Sequence, residues 1–257
     1  MRPPSRNAEH EIARIAGGQH GVVTRAQLLG AGLSAAGIQR RVRKATLLPE
    51  YPGVYRVGHR APSVMARYTA AVLACGEGAL LSGRAAGHLL GLLKGPAPPP
   101  EVTAPRERRI EGIIIHRSIS LDATTWHGIP TTTVARTLAD LAAHLSLDDL
   151  ARACHEAGVK HHTTPAHVEA VLVRRPSTKG AANLRAVMRG EAHVTLSRLE
   201  RRFLKLLRAE GLRLPQMNRP AGGRRVDCRW PEHRGDVVET PRLMLRELRT
   251  LLPRHPA

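Results

Sequence analysis

The chain has 257 residues, of which 42% are hydrophobic and only 2% aromatic, so Leu, Val, Ile and Ala must build the cores of two or three small domains. Its formal net charge of +19 favours a polyanionic partner and sets aside a basic one. No apolar run approaches a membrane span, Met1-Arg-Pro-Pro is not followed by a signal-like core, and Cys75, Cys154 and Cys228 form neither a CxxC nor a disulfide framework. These features predict a soluble protein of the reducing cytoplasm with no membrane partner. The charge is uneven. Residues 1–60 carry ten Lys and Arg against three Asp and Glu, residues 61–195 fifteen against eleven, and residues 196–257 fifteen against seven. A coding bias towards Arg explains the excess of Arg over Lys, but not why both ends are more basic than the middle.

In chain order, residues 7–16 predict a helix capped by Asn7, with Ile12, Ile15 and Ala16 inward and Gly17-Gly18 ending it. Residues 22–57 then read as a winged helix-turn-helix. Thr24 and Gln27 have capping-box spacing, and Val23 and Leu28 are placed for a hydrophobic staple. Gly30-Ala31-Gly32 ends that short helix. Ser34 caps a second helix, in which Ile38 and Val42 share one face while Gln39, Arg40, Arg41 and Arg43, then Lys44, occupy the other. Residues 47–50 and 54–57 form two strands around a Tyr51-Pro52-Gly53 turn. Such a unit can set its second helix into a DNA major groove. The candidate DNA-binding residues are Thr24, Arg25, Ser34, Gln39, Arg40, Arg41, Arg43, Lys44 and, on the wing, Arg56. Arg40 and Arg43 are placed for guanine edges, Arg41 and Lys44 for phosphates, and Arg56 for a phosphate or the minor groove. The alternatives are a merely solvated basic face and, for Arg56, a surface ion pair.

Residues 58–62 read as a linker to a mixed middle domain. Val64, Tyr68, Ala71, Val72 and Cys75 fit one helix face, and Ser82 caps a helix running to about residue 93. The proline-rich run 95–100 is a loop, residues 101–103 and 112–117 are strands, and helices start at Thr133 and Ser146, the latter reaching Glu156. Pro165 suits the first position of another. His155, His161 and His162 read as solvated loop histidines rather than metal ligands, having no Cys or carboxylate at ligand spacing. Cys154, beside Leu150 on a helix face, reads as core. In the last part, Leu199, Phe203, Leu206 and Leu207 share a helix face, and residues 226–230 and 236–239 read as strands.

The phrases VVTRAQLLGAGLS, IQRRVRKATLLPEYPGVYRVGH and GIPTTTVARTLADLAA resemble AbiEi-type antitoxins of type IV toxin–antitoxin systems, over roughly residues 7–190. The resemblance implies a winged helix that binds the promoter of its own operon and represses it, and a following domain with antitoxin function whose partner is a cognate toxin. The pieces LSRLERRFLKLLRAEGL, RRVDCRW and VVET resemble the start of very-short-patch-repair endonucleases. In that fold three carboxylates bind a divalent metal that activates water at a phosphodiester. The matching residues are Glu200, Asp227 and Glu239. The family pattern departs after Glu239, where 18 residues remain, so the segment reads as incomplete and these three carboxylates as vestigial candidates. Glu200 fits a capping box with Ser197 equally well.

The sequence therefore predicts an α+β chain in three parts. Residues 1–60 form a winged helix-turn-helix, 61–190 a mixed α/β antitoxin-like domain, and 191–257 a truncated endonuclease-like α/β segment. The expected function is a sequence-specific autorepressor or antitoxin on double-stranded DNA. Its rivals are a metal-dependent DNA endonuclease and a toxin-neutralising interaction protein. No cofactor is expected unless the nuclease site works, which would require Mg²⁺. A homodimer and occupancy of tandem sites are both left open.

Overall fold

A computed structural model describes residues 6–58, 63–119, 122–190, 206–212, 216–221 and 224–229, which form an α+β fold. The first six elements are α1 (Arg6–Gly18), β1 (Val22–Thr24), α2 (Arg25–Gly30), α3 (Ala35–Arg43), β2 (Leu47–Tyr51) and β3 (Val54–Val57). This is the element order of a winged helix-turn-helix, and its sheet has the antiparallel order β1-β3-β2. β1 was not expected, because Val22-Val23-Thr24 is short enough to read as the approach to a helix. Its side chains nonetheless join two cores. Val23 packs with Ile12, Leu28, Leu33, Ile38 and Leu47 under the helices, whereas Val22 packs with Val54, Ala66 and Ala70. α1 starts at Arg6, so Asn7 lies inside the helix rather than capping it, and it stops within the expected Gly17-Gly18 pair. It ends at Gly18, and Gly21 N–H donates to Ala16 O at 2.8 Å while His20 takes a left-handed φ of 53°.

The middle elements are α4 (Val64–Cys75), β4 (Leu80–Leu81), α5 (Gly83–Leu89), β5 (Glu101–Ala104), β6 (Ile114–Arg117), β7 (Ala123–Trp126) and β8 (Ile129–Thr132). They are followed by α6 (Val134–Leu141), α7 (Leu147–His161), α8 (Pro165–Arg174) and α9 (Ala181–Met188). The strands form one sheet of order β6-β5-β4-β8-β7, parallel between β5 and β6 and between β4 and β8, antiparallel otherwise. α4 lies between the two units. Ala66 and Ala70 cover Val22 and Val54 of the first sheet, while Tyr68, Ala71, Val72 and Cys75 face the core under β4, β5 and β8. A second contact joins the units where His20 Nε2 lies 2.7 Å from His127 O at the β7–β8 turn. α6 to α9 close a further core around Leu138, Leu150, Leu172 and Leu184.

Several helix limits differ from expectation. α5 stops at Leu89 because the chain turns at Gly91, φ 69°, and both Leu92 and Leu93 N–H donate back to Gly87 O. Ser82 precedes it without a side-chain capping bond, its hydroxyl buried. α7 continues five residues past Glu156 to His161, so His155 and His161 are helical and His162 is the left-handed cap, φ 52°. The histidines are thus not in a loop. His161 Nε2 lies 2.8 Å from Leu90 O and its ring meets Trp126 edge-on. Beyond the middle unit, β9 (Gln216–Ala221) and β10 (Arg224–Arg229) pair as an antiparallel hairpin.

Candidate nucleic-acid interface

The helix-turn-helix is set by its caps. Thr24 Oγ accepts from Gln27 N–H at 3.2 Å and Gln27 Oε1 accepts from Thr24 N–H at 2.8 Å, completing the capping box. α2 then closes in a Schellman motif: Leu33 N–H donates to Leu28 O at 3.1 Å and Gly32 N–H to Leu29 O at 3.0 Å. Gly32 sits at φ 92°, where a Cβ would be strained, and the buried Leu28 and Leu33 share the core beneath the motif. Ser34 starts α3 by accepting from Gly37 N–H at 3.1 Å. These bonds fix the angle at which α3 leaves the turn. Thr24 and Ser34 therefore serve the backbone first.

At about 100° per residue, Ala35, Gln39, Arg43, Ala36, Arg40 and Lys44 fall in that angular order over one half of the α3 surface. All are exposed except Arg40, which is partly buried. Gly37, Ile38, Arg41 and Val42 occupy the other half and are buried or partly so. Arg41 is therefore on the inward side. It pairs with Glu9 of α1, and its side chain is 16% exposed. Arg41, expected at a phosphate, is here engaged in an interhelical ion pair. Small alanines at the helix start leave room for a close approach, with longer donors behind them. Arg25, exposed at the start of α2, donates its backbone N–H to Gly53 O at 2.7 Å and so lies against the wing turn.

The wing does not carry the expected cation outward. Arg56 is 8% exposed, and its Nε lies 3.1 Å from Glu50 Oε1. The β2–β3 register explains this. Leu48 faces Arg56 and Pro49 faces Tyr55, but Tyr51 faces Val54, so Glu50 is the extra residue of a bulge. The bulge turns Glu50 back across the hairpin to Arg56. Arg56 is thus engaged in an ion pair within the hairpin, the alternative expected beside a phosphate or minor-groove contact.

Two polar constellations of the middle unit were not foreseen. Glu101 accepts from Arg84 N–H at 2.7 Å and its Oε1 lies 2.8 Å from His116 Nε2. Burial alone would raise the Glu101 carboxyl, but the bonds from His116 and Arg84 hold it below its usual value; that same bond raises His116. Arg136, 2% exposed, donates Nε to Asp140 at 2.9 Å, with Asp122 3.9 Å from its other nitrogen. Burial pushes Asp140 up despite the guanidinium beside it. The parallel β5–β6 pairing sets Glu101 beside His116, whereas Arg136 and Asp140 are an i, i+4 pair on α6 to which the chain brings Asp122. Burial pushes the Cys75 thiol up to about 11 and Cys154 to about 12, so both are core groups.

Of the carboxylates matched to a nuclease, Asp227 lies in β10, while Glu200 and Glu239 lie outside the described residues. Among the described residues, no group of three or more His, Cys, Asp or Glu is placed to hold a metal ion, and no helix is long and apolar enough to cross a membrane. No family model matches the chain, and no curated protein matches it. A solved structure, the RV2827C protein from Mycobacterium tuberculosis, is similar at 17% identity with a TM-score of 0.48, covering 73% of this chain and 78% of that one.

Proposed function

We propose that this chain is a sequence-specific DNA-binding autorepressor, built on the plan of an AbiEi-like antitoxin. The observation that carries the reading is the outward half of α3, where Ala35 and Ala36 lead and Gln39, Arg40, Arg43 and Lys44 follow. Gln and Arg are the side chains that hydrogen-bond adenine and guanine edges through two atoms at once, and an alanine methyl suits a thymine methyl. Arg25 and Lys44 flank this row as phosphate contacts, and Thr24 and Ser34 fix its angle. The inward half, Ile38 with the Arg41–Glu9 pair, holds the helix against α1 so that its outer face is presented rigidly.

Band-shift titration with the DNA upstream of the chain's own coding sequence tests this. The full chain should bind one segment of that DNA more tightly than a shuffled duplex of equal length. Equal retention of both duplexes, or of neither, removes the autorepressor reading.

A further inference from the structure

β5 and β6 are parallel neighbours, so the chain leaving Ala104 must travel back the length of a strand before β6 begins at Ile114. No helix makes this return. Residues 105–113 arch back instead, and beneath them lies a cavity of about 430 Å³ lined by Glu107, Arg108, Arg109, Ile110, Ile113, Ile115 and Arg117. Its lining thus combines three arginines and one carboxylate with three isoleucines. Arg14, Arg41, Arg136, Arg174 and Arg185 are all held in ion pairs, whereas among the described residues Arg108, Arg109 and Arg117 have none. Strand alternation sets Arg117 on the same side of β6 as Ile115, away from the His116–Glu101 pair.

The position of this cavity relates it to the wing. Arg108 lies at the end of α4: a side chain at Gly76 would come within 3.3 Å of its guanidinium. Tyr51, at the wing turn, packs against the core that contains Cys75, the last residue of α4. On its other side the same turn accepts the Arg25 amide through Gly53 O. Arg25, the wing turn, the end of α4 and the arginine-lined cavity therefore follow one another across neighbouring contacts.

We propose that the cavity under residues 105–113 is a second seat for the DNA backbone, taking phosphates of the duplex held by α3, one or more steps beyond the wing. Arginine suits this because its planar fork binds phosphate through two parallel hydrogen bonds. The Glu107 carboxylate lowers the attraction for any single small anion and leaves a net positive rim for a chain of phosphates. The inference rests on the chain being a duplex binder.

The test uses the full chain, the upstream duplex and the double variant Arg109→Ala/Arg117→Ala, both exposed positions outside the α3 surface. The variant should lower affinity for upstream and shuffled duplexes alike, reduce the log–log salt slope by about two, and shorten the hydroxyl-radical footprint at one end. An unchanged slope and footprint overturns the second seat while leaving α3 binding intact. Absence of duplex binding by the unsubstituted chain overturns both readings. Circular dichroism melting of the variant, expected to match the parent, separates lost contact from lost fold.

Discussion

Single residues divide the basic surface into cations that hold the fold and cations left on the outward half of α3. Arg41 and Arg56 stand in the sequence like any other arginine of the winged unit, yet both are turned to carboxylates, Glu9 and Glu50. Arg40 and Arg43 lie on the outward half of the same helix. Replacing Arg56 with Ala removes its ion pair with Glu50 and should cost roughly 1–3 kcal/mol of stability, read by urea denaturation. Its salt slope for DNA should stay that of the parent. Arg40→Ala should do the reverse, retaining stability while losing about 1–3 kcal/mol of discrimination between upstream and shuffled duplex. Equal weakening on both duplexes would instead make Arg40 a phosphate contact. The sequence separated Ile38 and Val42 from the basic face correctly. It could not separate Arg41, because Glu9 lies on another helix, nor Arg56, because a bulge at Glu50 has no local signature.

Among elements, most helices that open on a side-chain cap were legible, and α5 was legible from Ser82 although that hydroxyl makes no capping bond. Thr24, Ser34, Thr133, Ser146 and Thr164 each accept a backbone N–H at a helix start; the first four signalled α2, α3, α6 and α7, while α8 was signalled by Pro165 and not by Thr164. α9 begins at Gly180, which offers no side-chain oxygen, and it escaped notice. β4 is two residues long, while β7 carries four exposed residues without apolar alternation; their pairing partners are set by the sheet, not by their own sequence. The α3 cap yields a direct test: Ser34→Ala should cost about 1 kcal/mol and Ser34→Gly only a few tenths, with the loss of DNA affinity following the same order. Comparable effects from both substitutions would show that the hydroxyl does not set the helix.

The sheet element β5–β6 gives a pH signature. The His116 value is raised by Glu101, so the pair's contribution is complete below the ordinary histidine value of about 6.5 and is lost as pH rises through the raised one. The Glu101 value is lowered, so its part is complete above the ordinary glutamate range and is lost as pH falls through the lowered one. Thermal melting of the parent and of His116→Ala should therefore differ most near pH 5–6, and the two curves should converge above neutrality. A constant offset across that range would contradict the ion pair.

On the scale of the whole molecule, α4 makes the winged unit and the middle unit share structure. A fragment ending at residue 60 would leave Val22 and Val54, 0% and 2% exposed, without their cover of Ala66 and Ala70. The linker expected at residues 58–62 leads directly into this shared helix, which apolar periodicity within α4 foretold only for its middle-domain face. The α+β class was legible from the alternation of helical and strand patterns. The five-stranded order β6-β5-β4-β8-β7 was not, since it joins residues far apart in sequence. For the proposed DNA binding the consequence is that charges on both units would act on one duplex. The most direct test is a fluorescence anisotropy titration of the full chain on the upstream duplex between 50 and 200 mM salt, beside Arg40→Ala/Arg43→Ala. The account predicts an affinity that falls by orders of magnitude over roughly that range, and a double variant with a shallower slope and no preference for the upstream sequence. An affinity indifferent to salt, or a double variant that binds as the parent does, would contradict it.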